Sequence, residues 1–196
     1  MRELGLARDA TVLDVFAGSG AIAVAAALAG AREVVAVDVS RRAVLNARLN
    51  AALNGVRIRA LRGDLFEPVA GARFDLVVAN PPYIPSESDD LPSHSRARAW
   101  DGGADGRALL DRLCDEVSPT LTPGGSVLIV QSDLPGESET LDRLAANGLT
   151  AEVLTRRRGP LGPIVRSRTK LLEGRGILDP GQRSEELLVI RGSRLG

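Results

Sequence analysis

The chain reads Phe74-Asp75-Leu76-Val77-Val78-Ala79 and then Asn80-Pro81-Pro82-Tyr83. The first six residues are a short apolar run with β-branched members, the pattern of a strand buried in a parallel sheet. The next four, an amide, two prolines and an aromatic, make a poor structural turn. Pro81 biases Asn80 out of the helical region, and Pro82 does the same to Pro81, so the segment is held extended. Neither proline has an N–H to donate. The Asn80 amide oxygen and the Pro81 carbonyl are left as acceptors on one side. Two acceptors can hold both hydrogens of a planar NH2 group, and Tyr83 can stack on the same plane.

Upstream, residues 11–16 read as a strand through Val12, Leu13, Val15 and Phe16. Ala17-Gly18-Ser19-Gly20 is a turn, and residues 21–30 are an Ala-rich helix. A second strand over 33–37 ends at Asp38. Ser40 is placed to cap a helix over 41–53, on which Val44, Leu45, Leu49 and Leu53 recur at helical spacing. Residues 57–61 alternate as a strand nearer the sheet edge would, and Gly63-Asp64-Leu65-Phe66 is a loop.

Downstream, residues 81–106 are irregular, and a loop of that length in a compact domain is usually functional or disordered. Next come a helix over 106–117, a turn at 123–125, a strand over 126–131 and a helix over 135–147. Strands over 149–154 and 186–191 end the chain. Between them, residues 156–182 read as a basic insertion carrying Arg156, Arg157, Arg158, Arg166, Arg168, Lys170 and Arg175, with one amphipathic helix expected over 164–174. Seven strands alternating with helices imply one α/β domain over residues 1–196. Its sheet should be doubly wound and mostly parallel, with ligands beyond the strands' carboxyl ends.

Every motif falls at such an end. In Asp14-Val15-Phe16-Ala17-Gly18-Ser19-Gly20 the glycines permit a tight turn and close approach of backbone to a ligand. Asp38, eighteen residues after Gly20, can accept from both hydroxyls of a ribose. Asp64 can accept from an exocyclic amine, and Leu65 can pack on a purine face. Val39, Gly63 and Asn80 complete the candidate lining of a nucleoside pocket. Gly18 to Ala23 also fits a dinucleotide fingerprint, so a nicotinamide enzyme competes on that motif alone. Asp64 is an extra polar group with a natural role in adenine recognition, and the Asn80–Tyr83 grip has no part in hydride transfer. The grip suits attack of a held nitrogen on an activated methyl group, a reaction governed by positioning and electrostatics.

Composition narrows the partners. The chain has 196 residues, 44% of them hydrophobic and only 3% aromatic; Lys+Arg and Asp+Glu both number 25. Zero net charge argues against a broadly basic nucleic-acid binder. The single cysteine, Cys114, excludes an internal disulfide and reads as buried in a helix. With one histidine, His94, there is no metal-ligand set. His94 reads as a loop residue, Trp100 as filling a hole under the long loop, and Asp101 and Asp105 as a brace and a helix cap. No apolar run approaches the roughly 20 residues of a membrane helix, and no signal peptide is seen, so a cytoplasmic location is expected.

Asp14-x-Phe16-x-Gly18-x-Gly20, Asp38, Asp64 and Asn80-Pro81-Pro82-Tyr83 together resemble the class I S-adenosylmethionine-dependent methyltransferases, over residues 11 to about 131. Tyr83-Ile84-Pro85 and Ala99-Trp100-Asp101-Gly102-Gly103-Ala104-Asp105-Gly106-Arg107 are similar to the HemK-type release-factor glutamine methyltransferases, in the short branch without an N-terminal helical bundle. The resemblance implies a Rossmann-like fold whose last strand is antiparallel, with S-adenosylmethionine as cofactor. It implies methylation of the glutamine amide in a Gly-Gly-Gln loop of a release factor, Asn80 and Pro81 holding the amide and Tyr83 packing on it. It also implies a small zinc-binding activator subunit as a partner. That family carries a segment before the first strand that covers the cofactor. Here about ten residues precede the strand, so either a more open pocket or a natural start further upstream is expected. The basic insertion also departs from the short branch. The runner-up reading is N-methylation of an exocyclic amine of adenine or guanine in RNA or DNA, which the zero net charge disfavours and the basic insertion supports. A nicotinamide oxidoreductase and a non-catalytic nucleotide-binding subunit are the remaining alternatives.

Overall fold

The computed structural model describes residues 5–91 and 96–196; His94 lies outside them. Seven strands form one sheet. β1 (Thr11–Val15), β2 (Glu33–Asp38), β3 (Arg59–Arg62) and β4 (Phe74–Ala79) are short, whereas β5 (Leu121–Ser132), β6 (Leu149–Pro160) and β7 (Ser184–Arg194) are long. The order across the sheet is β3-β2-β1-β4-β5-β7-β6. β1 to β5 pair in parallel, and β7 is antiparallel to both its neighbours, β5 and β6. The expected doubly wound sheet with an antiparallel last strand is therefore what the chain forms, with β3 at an edge.

The period-2 alternation of the central strands divides the core between two faces. Leu13 and Val15 join Val77, Ile129 and Ile190 in a cluster with Leu110, Leu113, Cys114 and Val117 of α3 (Ala108–Val117) and Leu144 of α4 (Glu137–Ala146). On the other face Val12, Val34, Ala36 and Val78 meet Ala23 and Ala26 of α1 (Ala21–Leu28) and Val44 and Ala47 of α2 (Arg41–Leu53). Cys114 is fully buried, and burial pushes its thiol up to about 12, so it packs as a small apolar residue.

Ser40 caps α2 by accepting from the Ala43 N–H at 3.4 Å, and the helix has the expected bounds. Its apolar face is different. Val44, Ala47 and Ala51 are buried, while Leu45, Leu49 and Leu53 are 66%, 55% and 74% exposed. The cause is how close α2 lies to the first turn: a Cβ on Gly20 would sit 2.7 Å from Ala47 Cβ. Only small side chains fit that interface, so the alanines turn inward and the leucines outward.

The antiparallel half differs from expectation in three places. Residues 123–125 do not turn but continue β5, across a register shift opposite Phe74 and Leu76. Arg156, Arg157 and Arg158 belong to β6, paired with Leu188, Leu187 and Glu186 of β7. The connection beyond them, residues 161–183, holds two short helices instead of one: α5 (Pro163–Ser167) and α6 (Thr169–Gly174). They enclose a third apolar cluster of Leu161, Val165, Leu172 and Leu178, against which Ile84 and Leu134 pack. β6 and β7 are antiparallel, so this connection lies at the same end of the sheet as the carboxyl ends of β1, β4 and β5. No described helix is long and apolar enough to cross a membrane.

Candidate active site

The strand order reverses between β1 and β4, where crossovers to β2 and to β5 leave in opposite directions. Val15 pairs with Ala79 and with Val37, so Phe16, Asn80 and Asp38 emerge side by side from three adjacent strands. Register alone brings the two motifs together.

On the β1 side the backbone is held by short-range bonds. Gly18, at φ 54°, donates its N–H to Asp38 Oδ2 at 2.8 Å, and Asp38 Oδ1 accepts from the Ser40 N–H at 2.8 Å. Gly20 donates to the Ala17 carbonyl at 2.7 Å, and Ala17 to that of Val37 at 3.1 Å. The two loop glycines do different work. A Cβ on Gly18 would meet nothing closer than 4.0 Å, so that position faces open space; the missing Cβ of Gly20 faces α2. Gly63 likewise makes room for a neighbour, since its Cβ would lie 2.1 Å from Pro68 Cγ.

Asp14 is 1% exposed. Its Oδ2 accepts from the Ala23 N–H at 2.9 Å, and its Oδ1 has no hydrogen-bond partner among the described residues. Burial raises its pKa to about 7, the Ala23 N–H opposes the shift, and the charge of Asp38 adds to it. Phe16 and Leu65 both adopt positive φ, 59° and 45°. Strain of this kind in residues with a Cβ gathers at functional sites. Both line a small cleft with Val37, Asp38, Val39, Gly63 and Asp64. Asp64 is not free there: Arg112 of α3 lies 3.0 Å from its Oδ2, both side chains more than 40% exposed.

On the β4 side Pro81 and Pro82 are buried and Asn80 is exposed. Neither the Asn80 side chain nor the Pro81 carbonyl bonds to any described residue, so two adjacent acceptors stand open on an anchored backbone. Tyr83 is half-buried against the main core, and burial, then the charge of Glu185, pushes its phenol up to about 12. It stays neutral across physiological pH.

The residues after Tyr83 are answered by those around Trp100. The Ile84 N–H donates to the Trp100 carbonyl at 2.8 Å, Gly102 donates to the Ile84 carbonyl at 3.0 Å, and Ser86 donates to the Gly103 carbonyl at 2.8 Å. Ile84 and Asp101 form a parallel bridge. The glycines are steric requirements: a Cβ on Gly106 would lie 2.4 Å from the Tyr83 carbonyl oxygen, and one on Gly102 2.6 Å from that of Gly106. Asp101 is 7% exposed, and its side chain is paired with Arg168 from outside the loop. Asp105 accepts from the Arg107 N–H at 2.8 Å and so shapes the turn before α3 instead of capping it: the N-cap position is Arg107, which carries no side-chain cap bond. Trp100 is half-buried, and it is its carbonyl that ties the loop. Arg107 fastens the start of α3 to that of α4, donating to the Pro135 carbonyl at 2.6 Å and to Asp111 at 2.7 Å. The larger hollow of about 250 Å³, between Thr11, Glu33, Arg59 and Arg73, lies at the amino ends of the strands, away from every motif.

This geometry has known counterparts. The model of the methyltransferase small domain family matches residues 1–93. The "Putative protein N5-glutamine methyltransferase" of Methanocaldococcus jannaschii is 41% identical over 153 residues, 78% of this chain and 77% of that protein. The release factor glutamine methyltransferase of Geobacter sulfurreducens is 39% identical over 127 residues, covering 61% of this chain but only 44% of the longer enzyme. Among solved structures, the E. cuniculi Mtq2–Trm112 complex, described as responsible for methylation of the eRF1 translation termination factor, superimposes with a TM-score of 0.64 at 24% identity, over 95% of this chain and 86% of that one.

Proposed function

This chain belongs to the S-adenosylmethionine-dependent glutamine methyltransferase family, and from that premise we propose that it methylates the side-chain amide nitrogen of a glutamine in a peptide chain release factor. The observation that carries the reading is the open pair of acceptors at Asn80 and Pro81, next to a strained cleft at the switch point of the sheet.

The residues present fit the cofactor. Asp38 spends one lone pair of each oxygen on backbone N–H groups and keeps others for ribose hydroxyls. Gly18 leaves open space, Val39 and Leu65 would flank a nucleobase, and Asp14 offers a buried Oδ1 with no partner among the described residues. Asp64, paired with Arg112 through Oδ2, would accept from an exocyclic amine of the base. S-adenosylmethionine, when bound, supplies a methyl group on a positively charged sulfur.

The protein's part is positioning. The Asn80 amide oxygen and the Pro81 carbonyl take the two N–H groups of the glutamine amide, which orients its nitrogen out of plane and weakens its conjugation. Tyr83 covers the amide plane as a neutral ring. Two buried prolines fix the acceptors before substrate arrives, so little ordering remains at the moment of reaction. No base is required of the chain, since the product nitrogen loses its proton late. A release-factor substrate puts the reaction in the cytoplasm. A small activator subunit, zinc-binding by the resemblance, completes the reading.

Transfer of labelled methyl groups to a cell extract tests it. Protease-sensitive label on a release factor, abolished by Asn80→Ala, is expected. Label that survives protease and vanishes with nuclease would move the acceptor to an exocyclic amine of adenine or guanine.

A further inference from the structure

Two arginines of the connection between β6 and β7 reach across to the loop that succeeds Tyr83. Arg168 donates from Nη1 to the Pro85 carbonyl at 2.9 Å, and its Nη2 lies 2.5 Å from Asp101 Oδ1. Arg175 donates from Nη1 to the carbonyls of Ser86 at 2.6 Å and Ala104 at 2.9 Å, and from Nη2 to that of Glu87 at 2.9 Å. Each guanidinium touches both sides of the loop, residues 85–87 and residues 101–104. Ile84, between them and Tyr83, packs on the apolar cluster of the same connection. Glu185 at the start of β7 accepts from the Gly162 N–H at 2.6 Å, and its charge is felt at Tyr83.

We propose that Arg168 and Arg175 are positioning residues for the methyl acceptor, holding Tyr83 and the Asn80–Pro81 pair in place by clamping residues 85–87 to residues 101–104. The proposal rests on the reading of Asn80–Tyr83 as the acceptor grip. Loop carbonyls in this place have no strand partner, and a guanidinium, with five donors in a rigid fork, satisfies several at once. Asp101 is a buried carboxylate, and Arg168 is its cation. The basic character of the connection is thus partly internal: two of its cations are structural parts of the acceptor side. Arg166, on α5, is exposed with no ion pair among the described residues, and carries the same charge without the geometry.

Trp100 makes the clamp visible without any activity. It is the sole tryptophan of the chain, and its carbonyl receives the Ile84 N–H. The experiment compares Arg168→Ala, Arg168→Lys, Arg175→Ala and Arg166→Ala in the full chain. It reads Trp100 emission and acrylamide quenching, S-adenosylmethionine affinity by calorimetry, and kcat and KM on a release factor bearing Gly-Gly-Gln. Arg168→Ala and Arg175→Ala should shift Trp100 emission to the red, raise its quenching and lower kcat roughly tenfold to a hundredfold, the cost of slight misplacement. Cofactor affinity should hold. Arg168→Lys, which keeps the charge toward Asp101 but loses the fork, should fall between, and Arg166→Ala should match wild type. A folded Arg168→Ala protein with unchanged Trp100 signal or unchanged kcat overturns the clamp, as does an equal loss in Arg166→Ala. If Arg168→Ala fails to fold, Arg175→Ala decides, since it removes bonds to carbonyls alone. If wild type, assayed in a cell extract that supplies its activator subunit, methylates no release factor, the functional reading fails while the Trp100 signal still judges whether the arginines hold the loop.

Discussion

The two walls of the cleft stand side by side at the ends of β1 and β4 but are held by opposite means. The wall built on residues 14–20 and Asp38 is closed by bonds to backbone N–H groups within about 20 residues of sequence, with glycine supplying the unusual φ. Among the described residues, Asn80–Tyr83 contribute no such bonds. Prolines stiffen that wall, and the loop that follows is tied by its own backbone bonds from Ile84 and Ser86 and, from more than 80 residues further on, by Arg168 and Arg175. One wall is a local device that the chain can form early. The other draws in addition on parts that arrive much later in the chain.

Asn80→Ala should produce the largest separation between the walls. We expect methyl transfer to fall by about 10²–10³-fold, as when one positioned polar group is lost from a reacting centre, with cofactor affinity by calorimetry nearly unchanged. Loss of both together would mean that the walls are one unit.

Within the cofactor wall the two glycines should part company. Gly20→Ala drives a Cβ into the backbone of α2, 2.9 Å from Ala47 Cα. It should cost about 2–3 kcal/mol and lower the melting temperature by roughly 5–10 °C. Gly18→Ala meets open space and should cost only about 1 kcal/mol for its left-handed φ, with its main effect on cofactor affinity.

Asp14 sets the pH behaviour of the same wall. Folded, it binds its proton up to about pH 7; unfolded, it lets go near its ordinary value of 3.8. Between those values the folded state holds the extra proton, so stability is greatest at the acid end and falls as pH rises through the window. The slope should reach at most about 1.4 kcal/mol per pH unit. Denaturant titrations of the cofactor-free protein at pH 5, 6, 7 and 8 should show the decline, and Asp14→Asn should flatten it.

Arg112→Ala should change least. Its pair with Asp64 is exposed, so stability should move by less than about 0.5 kcal/mol, measured by thermal melting. A large loss of cofactor affinity instead would show that Arg112 orients Asp64 for its ligand.

Legibility in the sequence divides along the same line. The strands and the placing of Asp14–Gly20, Asp38 and Asn80–Tyr83 at their carboxyl ends were legible because each rests on local pattern: apolar runs, turn glycines, prolines. The inward face of α2 was not, because Ala47 and Ala51 displaced the leucines for a reason that lies in another element, the close approach at Gly20. The role of the Trp100–Arg107 segment was visible only as a resemblance. Its physical content, glycines beneath the Tyr83 carbonyl, needs the folded backbone. Arg168 and Arg175 gave no signal beyond charge, since an arginine that clamps a distant loop and one that faces water look alike in a sequence.

β7 adds a consequence in time. It is the final strand, yet it lies inside the sheet, between β5 and β6. On a ribosome the cofactor wall, the acceptor motif and β5 all emerge before it. Until β7 enters, β6 and the connection with both arginines have no ladder to hold them against the loop. The acceptor side is therefore completed only once β7 has been delivered, and a nascent chain that already has a cofactor cleft has no finished grip for its substrate until then.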